Sequence, residues 1–303
     1  MKAPVIVTST EDIAGTNLKI RLVSEWKWEK VANTTKALEI LHSNEFDCYL
    51  ITLEEPLVES KNLDSYCDAL NIDVLCYIYA SRHKSESGDP ALLTHVTGNW
   101  GTRADLGGEP REIAFSSAFL LKKAFSTLLE EKEKIGDKLS EFVVNLEVTH
   151  HGPTNLKAPL IFVELGSDER NWNHPDGIVM VSNVIMKLVK DLKDVNFNFE
   201  KLIPDLNGIG IGFGGPHYAA TFDRVMQKCN VSFSHIVPKY ALKDITREMV
   251  EMALERTIEK VDWFVLDWKG LNREQKDVLI PILETFDVPV KRAKHLEREL
   301  CKE

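Results

Sequence analysis

The run Asp73-Val74-Leu75-Cys76-Tyr77-Ile78-Tyr79-Ala80 is nearly all apolar. A strand with one wet face alternates apolar and polar residues, so a strand written this way must be buried on both sides. A sheet covered on both faces needs further layers around it, and the neighbouring segments say which kind. Residues 5–8 read as an opening strand, and residues 12–17 lead into a helix ending near Trp28. Further strands are expected at 45–52, 92–99, 141–148, 160–166, 207–213, 232–237 and 263–266. Helices are expected at 113–138, 176–192, 246–260 and 272–286, the first carrying Ala114, Ala118, Leu121, Phe125, Leu128 and Leu129 at helical spacing. The alternation predicts an α/β fold of three layers, a mixed central sheet flanked by helices. No repeat or Pro/Gly/Ser-rich linker divides it, so one domain spanning 1–303 is the expectation.

The chain has 303 residues, 44% hydrophobic and 28% charged, which describes a globular protein with a sizeable core. Its formal net charge of -10 argues against a uniformly positive surface for long nucleic acid, DNA in particular, while leaving room for a local basic groove. The 5 cysteines are scattered without C-x-x-C spacing, so neither a disulfide scaffold nor a thiolate zinc site is suggested. A reducing cytoplasm fits that usage. No apolar run has the length of a signal peptide core or a membrane span, and a soluble monomer is expected.

Chemistry is expected where a strand ends in Thr149-His150-His151-Gly152-Pro153-Thr154, with Glu164 in the returning strand. Neighbouring residues of a regular strand face opposite ways, so the two imidazoles can share a ligand only if the chain turns there. Gly152-Pro153 supplies a turn. Imidazoles suit acid/base work or a metal, although an isolated pair also fits one packed and one exposed histidine.

His83 lies in the polar segment Ser81-Arg82-His83-Lys84-Ser85-Glu86-Ser87-Gly88, read as a loop leaving the central strand, and His95 lies in the next strand. Residues 100–112 form a long loop offering Arg103 and Arg111. In the polar loop 166–175, Trp172 is either a stacking platform or a side chain folded back on the core. Residues 207–222 place glycines at Gly210, Gly212, Gly214 and Gly215 before Pro216-His217-Tyr218, with Pro216 a candidate first helical residue. Exposed backbone N–H groups at Gly214-Gly215 could hold an anion. The G-x-G-x-x-G spacing of Gly210, Gly212 and Gly215 comes late and lacks an acidic ribose partner, so a dinucleotide site is discounted.

Taken together, the segments 81–88, 95–99 and 149–154, with Glu164-Leu165-Gly166-Ser167 and Gly214-Gly215-Pro216-His217-Tyr218, resemble the archaeal and plant type of D-aminoacyl-tRNA deacylase. The resemblance implies hydrolysis of the ester joining a D-amino acid to the 3′-terminal ribose of tRNA, a proofreading reaction that releases D-amino acid and tRNA. It implies a fold of the phosphorylase and peptidyl-tRNA-hydrolase kind and a dependence on zinc. On it, the metal candidates are His83, His95, His150, His151 and Glu164, and the catalytic candidates His150, His151, Glu164 and His217. Substrate-binding candidates are Arg82, Lys84, Trp172, Gly214 and Gly215. Two routes stay open: zinc activation of water, or a histidine or Glu164 as general base with the glycine turn holding the oxyanion. A zinc aminopeptidase or amidohydrolase lacks its H-E-x-x-H helix here. A non-catalytic RNA-end binding module would bind tRNA without turnover.

Overall fold

Opening strand β1 (Ala3–Ser9) is buried along its whole length, and Asp12 then caps α1 (Ile13–Glu25) by accepting from the Gly15 N–H. The computed structural model describes residues 2–32 and 35–301. The helix ends before Trp28, whose ring N–H folds back to donate to the Leu22 carbonyl. β2 (Glu29–Lys30), β3 (Glu39–Ser43) and β4 (Cys48–Leu53) form an antiparallel run, of which only β4 was expected. After α2 (Leu63–Ala69) comes β5 (Val74–Lys84), longer than its apolar run because it stays paired as far as Lys84. The polar Ser81-Arg82-His83-Lys84 is therefore strand, not loop: pairing satisfies its backbone whatever its side chains.

β6 (Ala91–His95), the small ribbon β7 (Gly98–Asn99) and β8 (Glu112–Ile113), and α3 (Ala118–Ile135) follow. α3 starts later than expected because Ile113 belongs to the ribbon and Ser117 supplies the cap. Next are β9 (Val143–Leu146), β10 (Leu160–Ser167), the single turn α4 (Glu169–Trp172) and α5 (Pro175–Asp194). The last third alternates: β11 (Ile209–Phe213), α6 (Ala220–Cys229), β12 (Ser232–Val237), α7 (Arg247–Glu255), β13 (Trp263–Leu266), α8 (Arg273–Leu283), β14 (Val290–Arg292) and α9 (Ala293–Leu300). Pro216 is not the first residue of α6, which begins at Ala220 without a side-chain cap. The closing segment forms β14 and α9, and residues 302–303 lie outside the described residues.

The larger, 8-stranded sheet has the order β2-β3-β4-β1-β5-β10-β6-β9 and is mixed. α1, α3 and α5 pack together on one face. On the other, Tyr77 donates to Asp64 of α2 and Tyr79 bonds Ser60 just before it. Structure thus covers both faces, as the apolar central strand requires, and each fully buried Ile, Leu or Phe contributes roughly 1.5–3 kcal/mol. The second, 4-stranded sheet runs β12-β11-β13-β14, all parallel. It has its own apolar cluster around Phe213, Phe264 and Leu279, while Phe222, Val225 and Phe233 beside it join the core of the larger sheet. Cys229 and Cys301 form a disulfide that ties α9 to α6, a pairing the scattered cysteines gave no reason to expect. No helix among the described residues is long and apolar enough to cross a membrane.

Candidate functional site

Strand alternation decides which side chains meet. Along β5, Tyr77, Tyr79, Ser81 and His83 share one face; in β10, Phe162 lies between Tyr79 and His95, and Glu164 lies beside Ser81. Tyr79, Phe162 and His95 stack as a row, with ring centroids 4.4 Å and then 5.2 Å apart. One step along, His83 and Glu164 stand over that row, and Glu147 joins from the end of β9, where its N–H donates to the Thr94 carbonyl.

These four groups are all buried and interleaved by charge. His83 Nδ1 lies 3.3 Å from Glu164 and 3.4 Å from Glu147, and His95 Nε2 lies 3.7 Å from each carboxylate. Burial works against charge on His83 and His95, but the neighbouring carboxylates prevail and raise both imidazoles above their ordinary range. Burial likewise pushes the Glu164 carboxyl up, yet His83 and His95 outweigh it and hold the group below the usual carboxylate range.

The His-His turn completes the cluster. His151 adopts a left-handed backbone with φ of 45°, which breaks the strand alternation and brings its ring beside that of His150, centroids 4.3 Å apart. Gly152 is required next, because a Cβ there would run into the backbone of Gly108 and Val58. His95 lies 4.3 Å from His150 and 4.8 Å from His151, centroid to centroid. His150 Nδ1 donates to the Val148 carbonyl and His151 Nδ1 to the Gly152 carbonyl, since a carbonyl can only accept. Each Nε2 is thereby left with its lone pair. Burial, and then His151, His95 and His217, drive His150 well below its ordinary range; burial and then His95 hold His151 at about 3. Both rings are neutral donors.

His217 and Tyr218 arrive from the second sheet. Residues 217–219 pair with 146–148, the Val148 N–H donating to the His217 carbonyl and the Ala219 N–H to that of Leu146. This sets His217 Nε2 2.7 Å from Glu147 Oε1, its centroid 4.6 Å from His150, and the Tyr218 hydroxyl 3.1 Å from His83 Nε2. His150, His151 and His217 form one wall of a cavity of about 670 Å³, with Arg103, Tyr240 and Lys243 elsewhere on its lining.

The arrangement fits a metal ion. Donor atoms of His95, His150 and His151 lie within 4.8 Å of one another, as do those of Glu147, His150 and His217, and those of His83, Glu147 and Glu164. His95 Nε2 and Glu147 Oε2 are buried without a hydrogen bond, an expensive state for atoms with nothing to bind. Carbonyls already hold the other ring nitrogens of His150 and His151, the usual support of metal-binding imidazoles.

The structure therefore gathers His83, His95, His150, His151, Glu164 and His217, and adds Glu147 and Tyr218, which sequence reasoning missed. Glu147 had a signal: a carboxylate inside the apolar run Val144-Asn145-Leu146-Glu147-Val148, just ahead of the histidines. The substrate-binding candidates lie elsewhere. Arg82 and Lys84 alternate onto the face of β5 opposite His83, with the Arg82 guanidinium 5.4 Å from the Trp172 ring centroid. Trp172 is folded on the core, its indole N–H donating to the His83 carbonyl, and offers no stacking platform. The Gly214 N–H is committed to the Val237 carbonyl, and neither Gly214 nor Gly215 lines the histidine cavity. An oxyanion site at that turn is excluded for Gly214.

A family described as D-aminoacyl-tRNA deacylase matches residues 70–291, a span that contains every member of the cluster. A D-aminoacyl-tRNA deacylase of Methanosarcina mazei is 32% identical over 94% of this chain and 90% of its own length. One of Pyrococcus furiosus is 31% identical over 90% of this chain and 94% of its own. A crystal structure described as a conserved protein of unknown function superposes over 100% of this chain and 99% of its own, with a TM-score of 0.86 and 26% identity. The match over most of the length, with the buried cluster at its centre, establishes that the chain belongs to the D-aminoacyl-tRNA deacylase family.

Proposed function

We propose that the chain hydrolyses the ester of D-aminoacyl-tRNA, releasing free D-amino acid and reusable tRNA, with a zinc ion held by His95, His150 and His151. The observation that carries this reading is the buried set of carboxylates and imidazoles opening on one cavity. A three-histidine donor set, with His150 and His151 already neutral and His95 giving up its proton to the ion, would suit zinc, which would act as a Lewis acid toward an ester carbonyl.

The chain's own groups do the rest. His217, about 40% exposed in its side chain at the cavity wall, is oriented by the Glu147 carboxylate at Nε2. Its other nitrogen, Nδ1, takes a proton from a water that attacks the ester carbonyl. When the tetrahedral intermediate collapses, the acyl–oxygen bond to the ribose breaks and the same nitrogen returns the proton to the ribose oxygen. Glu147 holds the imidazolium between the two transfers. Glu164 and His83 keep Glu147 and His95 in place. The terminal adenine stacks on Tyr240, 55% exposed at the cavity, and Lys243 meets the adjoining phosphate.

Release of amino acid from matched D- and L-tyrosyl-tRNA tests the reading, using protein as purified, stripped with a chelator and restored with zinc. D-selective release, lost on stripping and recovered with zinc, is expected. Absence of release by folded, zinc-loaded protein would overturn it.

A further inference from the structure

The second sheet makes a crevice that the deacylase chemistry leaves unused. Its strand order, β12-β11-β13-β14, means that the chain leaves β11 toward β12 on one side and leaves β13 toward β14 on the other. Between the carboxyl ends of β11 and β13 the connections part, the place where open parallel sheets form a ligand crevice. Next to it, at the carboxyl ends of β13 and β14 and against α6 and α9, lies a cleft of about 620 Å³ lined by Thr221, Asp267, Trp268, Lys269, Arg292 and Lys294, among others.

On a body of net charge -10, this cleft is basic. Lys269, Arg292, Lys294 and Arg298 are exposed at it and, among the described residues, make no ion pair, whereas Arg224 beside them is neutralised by Glu297. The Arg292 guanidinium stacks 3.6 Å from the Trp268 ring centroid, giving a flat, cationic aromatic surface. The cleft is also close to the histidine cavity. Thr221 on its wall is four positions from His217, a span of at most about 14 Å.

We infer that this cleft docks the phosphate backbone of the tRNA, outside the cavity that takes the aminoacyl end. The inference rests on the reading of the substrate as a tRNA. Unpaired cations attract phosphates and release their counterions, so the contribution is to affinity and is sensitive to salt. Asp267, the carboxylate at the crevice, accepts from a ribose hydroxyl, a group DNA lacks.

The test uses the full chain carrying Lys269→Gln, Lys294→Gln and Arg298→Gln together, with Lys27→Gln, Lys190→Gln and Lys260→Gln as a control of equal charge change. Binding of uncharged tRNA is measured from low to moderate salt, alongside hydrolysis of D-tyrosyl-tRNA and of D-tyrosine ethyl ester. The cleft variant should bind tRNA at least about tenfold more weakly, with a salt slope shallower by about 0.9 per contact removed, while the control is unchanged. Its KM for D-tyrosyl-tRNA should rise, with ethyl ester hydrolysis unaltered. Equal weakening in both variants, or tRNA binding unchanged in the cleft variant, would overturn the inference. If tRNA binds through the cleft but the wild-type chain releases no D-tyrosine, the docking surface stands and the deacylase reading falls.

Discussion

Glu147 Oε1 lies 2.7 Å from His217 Nε2, joining a residue of the large sheet to one delivered by the small sheet. The carboxylate is completely enclosed and the imidazole stands at the cavity wall, so on the proposed mechanism the pair would link the interior to the place where an ester sits. Glu147→Gln keeps the shape and removes the charge. Turnover of D-tyrosyl-tRNA should fall at least about a hundredfold while bound zinc is retained. Loss of zinc from this variant would make Glu147 a ligand instead of an orienting group.

Zinc retention separates the donor set from its surroundings. Adding zinc to stripped protein should raise the thermal midpoint, since a ligand at about a hundred times its Kd stabilises the folded state by roughly 2.7 kcal/mol. His95→Ala and His151→Ala should abolish that rise, and His83→Ala should preserve it. Calorimetry of the four proteins with and without zinc decides.

Phe162 is the platform on which His95 lies, stacked between it and Tyr79. Phe162→Ala should cost about 3–5 kcal/mol of stability in denaturant unfolding, through lost burial and the cavity left behind.

The Cys229–Cys301 bond closes a loop of sequence separation 72. Cross-links over loops of this length add roughly 2–4 kcal/mol, mainly by restricting the unfolded chain. Reductant should lower the unfolding midpoint of the wild type and leave that of Cys301→Ser where it is.

Lys122 reaches into the interior to donate to the Met226 carbonyl, and burial pushes its ammonium down to about 8 from an ordinary 10.5. Below pH 8 the folded chain carries the full penalty of a buried charge. Between pH 8 and 10.5 the unfolded chain binds more protons, so this residue's contribution to stability increases as pH rises. The difference in unfolding free energy between wild type and Lys122→Met should move in favour of the wild type across that window. A difference independent of pH would show that Lys122 titrates alike in the folded and unfolded chains, so that burial does not lower its pKa.

How much of this was legible depended on how each residue is determined. The strands Ser232–Val237 and Trp263–Leu266 have the bounds the sequence suggests, because burial wrote their apolar runs. His83 was placed in a loop because local composition outweighs pairing in a reading along the chain, and only β10 reveals the strand. The same error concealed that Arg82 and His83 face opposite ways. The turn that lets His150 and His151 face one cavity was readable from Gly152-Pro153. Glu147 left only the trace of a carboxylate in an apolar run, since its significance comes from partners that arrive from β5, β10 and the segment 217–219 ahead of α6.

Residues 217–219 reach across to 146–148 and bring His217 and Tyr218 with them. During synthesis, the histidines of the large sheet leave the ribosome well before these two residues. An unfinished chain thus holds most of the donors but not the group assigned to move the proton. On the proposed mechanism, hydrolytic competence would be acquired late, when the final third has joined the rest, so a half-made enzyme would be inert toward the aminoacyl-tRNAs crowding the ribosome that is making it.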